Sequence, residues 1–376
     1  MTFVHTADWQ LGKPFGSIAG DAAAVLRDER FNALTRLGRL ARERQVDAVL
    51  VAGDVFDSPT VPDQVLRRAV EAMRAYPGPW VLLPGNHDPA LAESPWTRLQ
   101  RIGVPENVRP AVARAPLLLA DGRLAVLPAP LARRHEPDDV SEWMDGCETP
   151  SEVTRIGLAH GSVAGHTPEG DARNQISDTR VARARLAYLA LGDWHGTREI
   201  GPAIWYSGTP EPDRFRNNEP GNALIVTVDA PGAPARVERV RVGHYEWCEC
   251  TVTCGVDGAE DPAGRVEAAI GAVAGRAPER VLLRLVLKGT ATLAGRERIE
   301  DCLNAWQARL RYLERNLDHL VDEPNADDLD AIDRGGFVRR AVDRLVAKAG
   351  DAADPERELA RTALRLLYLE HMGAEG

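Results

Sequence analysis

The sequence predicts an α/β fold followed by a smaller α+β module and terminal helices, and three observations predict it. Short apolar runs alternate with amphipathic stretches through the first two-thirds of the chain. Each run stops at Gly, Asp, Asn or His, and the texture changes near Tyr245. The chain has 376 residues, of which 44% are hydrophobic, enough to bury a large core.

The first run, "TFVHTADWQLG", breaks abruptly from Phe3 and Val4 into Asp8, Trp9 and Gln10. Next, "VLRDERFNALTRLGRLARERQ" places Phe31, Leu34, Leu37, Leu40 and Ala41 at helical spacing. The strands expected after it are "DAVLVAGDVFD" (47–57), "WVLLPGNHD" (80–88), "RIGLAHG" (155–161), "LAYLALGDWHG" (186–196) and "AIWYSGT" (203–209). In the later module, "WCECTVTCGV" and "RVLLRLVLKG" read as strands, while "DPAGRVEAAIGAVAGRA" and "GRERIEDCLNAWQARL" read as helices, in β-α-β-α order. Beyond "VDEPNADD", Phe337, Val338, Ala341, Val342, Leu345 and Val346 share a helix face; a last helix follows, with Asp354 as N-cap and Pro355 in its first turn. The boundaries expected are 1–243, 244–322 and 323–376.

A net charge of −10 argues against coating nucleic acid by bulk charge, while a local basic patch would survive that average. The start of the sequence lacks a signal-peptide pattern, no apolar run is long enough to cross a bilayer, and the five cysteines make no disulfide framework. The expectation is a cytoplasmic protein without a membrane partner. Cys248, Cys250, Val252 and Cys254 fall on one strand face, which makes them a core row and not a metal knuckle.

Open α/β sheets bring the carboxyl ends of their strands to one ligand crevice. Asp8 with Gln10, Asp54, Asn86 with His87, His160, and Asp193 with His195 all stand at such ends. Carboxylates, an amide and imidazoles without thiolates suit a pair of divalent cations, with Asp54 between them. Two ions about 3.5 to 4 Å apart can hold a phosphate and activate water.

At "HTADWQLG", "VAGDVFDS", "PGNHD", "LAHG", "LALGDWHG" and "WYSGTPEP", over roughly residues 1–215, the sequence resembles the calcineurin-like metallophosphoesterases, and within them the SbcCD-type nuclease subunits. The resemblance implies a four-layer α/β/β/α sandwich and a manganese- or magnesium-dependent phosphodiesterase acting on DNA ends. The partners it implies are DNA and an SMC-like ATPase of the SbcC type; formation of a homodimer is left open. Asp8, Asp54 and His195 would hold the first cation, and Asp54, Asn86, His160 and Asp193 the second. His87 would serve the leaving oxygen, oriented by Asp88. The motifs normally carry His where this chain has Gln10 and Asp193. An amide oxygen is the weaker manganese ligand, so the first position would bind less tightly.

Trp9 and Trp194 would turn away from their motifs' ligands if strand alternation continues through them, into the core, with base stacking as the functional alternative. Arg133, Arg134, Arg173, Arg214 and Arg216, with Arg180, Arg183 and Arg185, are the DNA-contacting set expected near the motif loops. His166 lies in the glycine-rich loop after His160. Two other readings are a phosphoesterase for a small diester or nucleotide, and a DNA-binding subunit whose nuclease site has degenerated.

Overall fold

A computed structural model describes residues 1–166, 173–216, 218–255, 261–322, 336–351 and 353–374. The "VDEPNADD" linker from residue 323 and the loop after His166 therefore lie outside the described residues.

The chain begins β1 (Thr2–Thr6), α1 (Ala22–Glu43), β2 (Ala48–Val51), α2 (Asp63–Met73), β3 (Trp80–Leu82), α3 (Pro95–Ile102) and β4 (Val108–Pro110). It continues β5 (Leu117–Leu119), β6 (Leu124–Ala129), α4 (Trp143–Gly146), β7 (Thr154–His160), α5 (Arg180–Arg183), β8 (Tyr188–Gly192), β9 (Arg198–Gly201) and β10 (Ile204–Tyr206). Strands β11 (Asn222–Thr227) and β12 (Arg236–Arg241) then return antiparallel beside β1. Two six-stranded sheets result, ordered β12-β11-β1-β2-β3-β4 and β5-β6-β7-β8-β10-β9.

The alternation of side chains explains why these strands read as unbroken apolar runs: both faces are covered. Phe3, Leu50, Val81, Leu224 and Val226 of the first sheet meet Val126, Ile156, Leu158, Tyr188 and Ala190 of the second. The intervening residues Val4, Val49, Val51, Trp80 and Leu82 face outward onto Leu34, Leu37, Leu66 and Trp96 of the helices. On the other side Leu127, Ala159, Leu189 and Leu191 pack on Met144, Ile176 and Ala184. This is the α/β/β/α sandwich.

Parallel register decides where the site falls. Thr6 pairs with Val51, Val51 with Leu82, and His160 with Gly192. The segments after β1, β2, β3, β7 and β8 therefore leave at one edge of the sandwich.

The chain divides into the compact units Met1–Tyr245 and Glu246–Gly376. In the second, β13 (Glu246–Cys254), α6 (Pro262–Ala274), β14 (Val281–Ala291), α7 (Leu293–Gln307) and β15 (Tyr312–Asp322) build a parallel sheet ordered β13-β14-β15. The expected β-α-β-α order thus gains a third strand. Cys248, Cys250, Val252 and Cys254 pack as a row against the apolar cluster of Val266, Ile270, Leu285 and Leu303. Helices α8 (Phe337–Gly350) and α9 (Arg357–Ala374) follow. Asp354 caps the turn into α9, its Oδ1 accepting from the Glu356 amide at 2.7 Å. The expected apolar face of α8 is split: Val342 is buried, whereas Phe337 is 80% exposed and Val338 and Val346 are also exposed. Among the described residues no helix is long and apolar enough to cross a membrane.

Candidate active site

The site begins where the strands stop. Asp8, Gln10, Asp54 and Asp193 all have positive φ (53°, 41°, 51° and 100°), so strand alternation does not extend through them. Such backbone costs roughly 1–3 kcal/mol per residue and concentrates at functional sites. Here it is pinned by the Asp8 amide donating to the Gly53 carbonyl at 3.1 Å and the Gln10 amide to the Asp54 carbonyl at 2.8 Å. From α1, the buried Arg30 guanidinium donates to the carbonyls of Trp9 (2.6 Å), Asp8 (3.2 Å) and Glu211 (3.1 Å). Two glycines are required by crowding. A Cβ on Gly53 would stand 2.2 Å from His160 Nδ1, and one on Gly85 would stand 2.2 Å from Asp54 Oδ1.

His160 is fully buried, and its Nδ1–H donates to the Ala52 carbonyl at 2.8 Å. That bond turns Nε2 toward Asn86 Oδ1 (3.1 Å), Asp54 Oδ1 (3.5 Å) and Asp193 Oδ1 (3.8 Å). Burial lowers the affinity of this ring for a proton, but Asp54, Asp8 and Asp193 outweigh it and lift its pKa to about 9. The imidazolium is the positive charge that the acidic cluster demands. Asp8 is equally buried; burial raises its pKa to about 6 against the pull of His195 and His160. Its carboxylate accepts from the Asp193 amide at 3.1 Å. Ligand atoms of Asp8, Asp54 and His160 lie within 4.8 Å of one another. Hard oxygens, one amide oxygen and one oriented imidazole form a donor set that fits a divalent cation of the manganese or magnesium class.

His87 stands at the mouth. Its amide donates to Asp54 Oδ1 at 2.9 Å, its Nδ1–H donates to the Asp57 carbonyl at 2.9 Å, and Nε2 lies 3.9 Å from Asp54 Oδ2. Asp88 does not orient that ring, contrary to the sequence expectation: its oxygens accept from the amides of Gly85 (2.7 Å) and Phe56 (2.9 Å). It therefore braces the two loops that carry Asn86 and Asp54.

The set around His195 is different. His195 Nδ1–H donates to Asp213 Oδ1 at 3.1 Å, which leaves Nε2 an acceptor, 3.3 Å from the Gln10 amide nitrogen. Gln10 Oε1 accepts from Lys13 Nζ at 2.9 Å, and Lys13 also pairs with Asp213 at 2.9 Å. Burial would raise the Asp213 carboxyl, but His195, Arg214 and Lys13 hold it well below the usual carboxylate range. These side chains are turned to one another, and among the described residues His195 is not part of the cluster formed by Asp8, Asp54 and His160.

A polar cleft of about 180 Å³ opens over the cluster, lined by Asp54, Asn86, His87, Asp193, Trp194, His195, Arg214 and Arg216. Trp9 is core: its indole N–H donates to Thr6 Oγ1 at 3.1 Å and its ring meets Trp80 edge-on. Trp194 both packs on the core beneath and lines the cleft, with the guanidiniums of Arg216 and Arg198 at 4.9 and 5.5 Å from its ring. Arg133, Arg134 and Arg173 are exposed but are not among the cleft's lining residues. Arg180 is no surface contact; it is buried and paired with Asp139 (2.7 Å) and Asp145. His166 is exposed and is not among the side chains brought together with the carboxylates. Sequence reading missed Lys13, Arg30 and Asp213. Arg30 carries the one usable signal, a charge at the position before Phe31 and four before Leu34, on the apolar stripe of α1.

A two-sheet sandwich with an acidic, imidazole-bearing cleft at its strand ends defines a metallophosphoesterase, and the chain belongs to the calcineurin-like phosphoesterase family, matched over residues 1–227. It is similar to the SbcD subunit of the nuclease SbcCD from Bacillus subtilis, 30% identical over 280 residues that cover 64% of this chain and 69% of that one. The corresponding SbcD protein of Rhodobacter capsulatus is 30% identical, covering 56% and 62%. The DNA double-strand break repair protein Mre11 of Aeropyrum pernix is 27% identical, covering 64% and 60%. The chain thus spans less than two-thirds of the length of the latter two relatives.

Proposed function

We propose that this chain is a divalent-cation-dependent DNA phosphodiesterase, using manganese or magnesium, that processes DNA ends in double-strand break repair alongside an SMC-like ATPase of the SbcC type. The observation that carries the reading is the convergence of Asp8, Asp54 and His160, with Asn86 and Asp193 beside them, beneath the cleft-facing ring of His87. The similarity to a nuclease subunit and a break-repair protein supports DNA as the substrate class.

A cation held by Asp8, Asp54, Asn86, His160 and Asp193 supplies charge neutralisation for a phosphate and acidification of water. The remaining roles fall to side chains. With Nδ1–H committed to the Asp57 carbonyl, His87 presents Nε2 to the cleft, and as the doubly protonated imidazolium it can pass its Nε2 proton to the leaving oxygen and be left neutral. Arg214 and Arg216 meet phosphates at the rim, and Trp194 offers a stacking surface for an unpaired base. A second cation, which the resemblance implies, would require Gln10 and His195 to give up the bonds they make.

The α+β module at 244–322 acts in this reading as a cap that selects the DNA. The C-terminal segment 323–376 docks on the coiled-coil base of the ATPase, and the apolar side chains exposed on α8 and α9, Phe337, Leu359 and Leu366, support this. The setting is cytoplasmic.

Labelled single-stranded and duplex DNA and a chromogenic small phosphodiester, each with manganese, magnesium or EDTA, test the substrate class. DNA cut with metal and spared in EDTA is the expected outcome. Turnover of the small diester alone would assign a small-molecule phosphoesterase, and no turnover of any substrate would assign a binding subunit.

A further inference from the structure

We propose that the site holds a single divalent cation and that the Lys13 ammonium, together with Arg214, provides built-in positive charge where a first cation would otherwise lie. This deepens the phosphodiesterase reading and rests on it.

The orientation of Gln10 is decided by chemistry. An ammonium has only donors, so the Gln10 atom 2.9 Å from Lys13 Nζ is the carbonyl oxygen. The amide nitrogen is then the atom 3.3 Å from His195 Nε2. His195 has its Nδ1–H on a carboxylate, so that Nε2 lone pair is the one it could give a cation, and an N–H of Gln10 occupies it. Gln10 in turn has committed its oxygen, the only atom it could offer a metal, to Lys13. Both ligands added at this position are spent.

Charge points the same way. Lys13 Nζ pairs with Asp213 Oδ2 at 2.9 Å, and Arg214 Nη2 pairs with the same oxygen at 3.0 Å while standing 3.1 and 3.3 Å from the two ring nitrogens of His195. Two cationic side chains thus meet on one buried carboxylate beside His195, with Asp8 the further acidic group in electrostatic range of Arg214. A divalent ion brought there would meet like charge on entry. Asp8 and Asp54 are left to the set they form with His160.

The test counts ions and does not depend on turnover. The full chain is stripped of metal and dialysed against excess manganese; bound manganese is measured by elemental analysis and by electron paramagnetic resonance. Wild type is expected to bind one ion per chain with the six-line spectrum of an isolated centre, and Lys13→Arg, which keeps the charge, to do the same. The double variant Gln10→His with Lys13→Met is expected to bind two ions, with the spectrum of a coupled pair. If it loses its native circular dichroism, Lys13→Met alone takes its place with the same expected count. Two coupled ions in wild type, or a natively folded variant still at one, overturns this proposal while leaving the phosphodiesterase reading intact; no bound ion in wild type overturns both.

Discussion

At the scale of single residues, the site depends on side chains leaving strands in left-handed backbone, which turns Asp8, Asp54 and Asp193 onto one point instead of alternate faces. A consequence is a dependence of cation affinity on pH. In the metal-free site His160 carries a proton up to about pH 9 and Asp8 up to about pH 6. Both protons must leave when their lone pairs are given to a cation. Manganese affinity should therefore rise as pH increases from 6 to 9, with up to one proton released per ion, as calorimetry in buffers of different ionisation enthalpy would measure; a pH-independent affinity contradicts this. The positions of Asp54, Asn86 and His160 were legible because strand ends share an edge. The partners of Gln10 were not: which of its two amide atoms faces His195 depends on Lys13 and Asp213, and Asp213 reaches them from a loop with no periodicity to read. Asp88 was misread because adjacency to His87 in sequence does not make the side chains neighbours.

Among the elements, the strands were readable because two-sided burial demands uninterrupted apolar runs, and β1, β2, β7 and β8 obey it. Strand β15 was missed for the opposite reason: Glu314, Arg315 and Asp318 interrupt the pattern, and its half-covered position beside β14 tolerates them. His5 is the polar exception inside β1. It joins the two sheets, Nδ1 accepting from the Tyr188 hydroxyl at 3.0 Å and Nε2–H donating to the Leu191 carbonyl at 3.1 Å. Burial drives its pKa down to about 3, with the Leu191 contact opposing. A folded-state pKa below the unfolded one means that unfolding takes up a proton between about pH 6.5 and 3, so this contribution is complete above pH 6.5 and lost as pH falls. The slope is at most roughly 1.4 kcal/mol per pH unit. Urea midpoints should fall more steeply from pH 6.5 to 4 in wild type than in His5→Gln, and parallel profiles would refute the assignment.

For the whole molecule, the cation set and the cleft lie within Met1–Tyr245, and that unit encloses the apolar layers between and outside its sheets. Its end is tied down by Glu211, which accepts from the amides of His244 (2.8 Å) and Tyr245 (2.9 Å). Residues 1–245 produced alone should therefore fold cooperatively and bind as much manganese as the full chain; an aggregated or metal-free product would show that the second unit is needed to build the site. The first compact unit ends at Tyr245, where the texture of the sequence also changes, whereas the role of the following module is not encoded in any local motif. Whether this edge of the sandwich hydrolyses DNA is decided by the rate of DNA cleavage per bound manganese in wild type and His87→Ala. A loss of roughly a hundredfold to ten-thousandfold is expected in His87→Ala, with bound manganese unchanged. Cleavage by His87→Ala at the wild-type rate, or loss of its manganese, would contradict a nuclease site in which His87 serves the leaving oxygen.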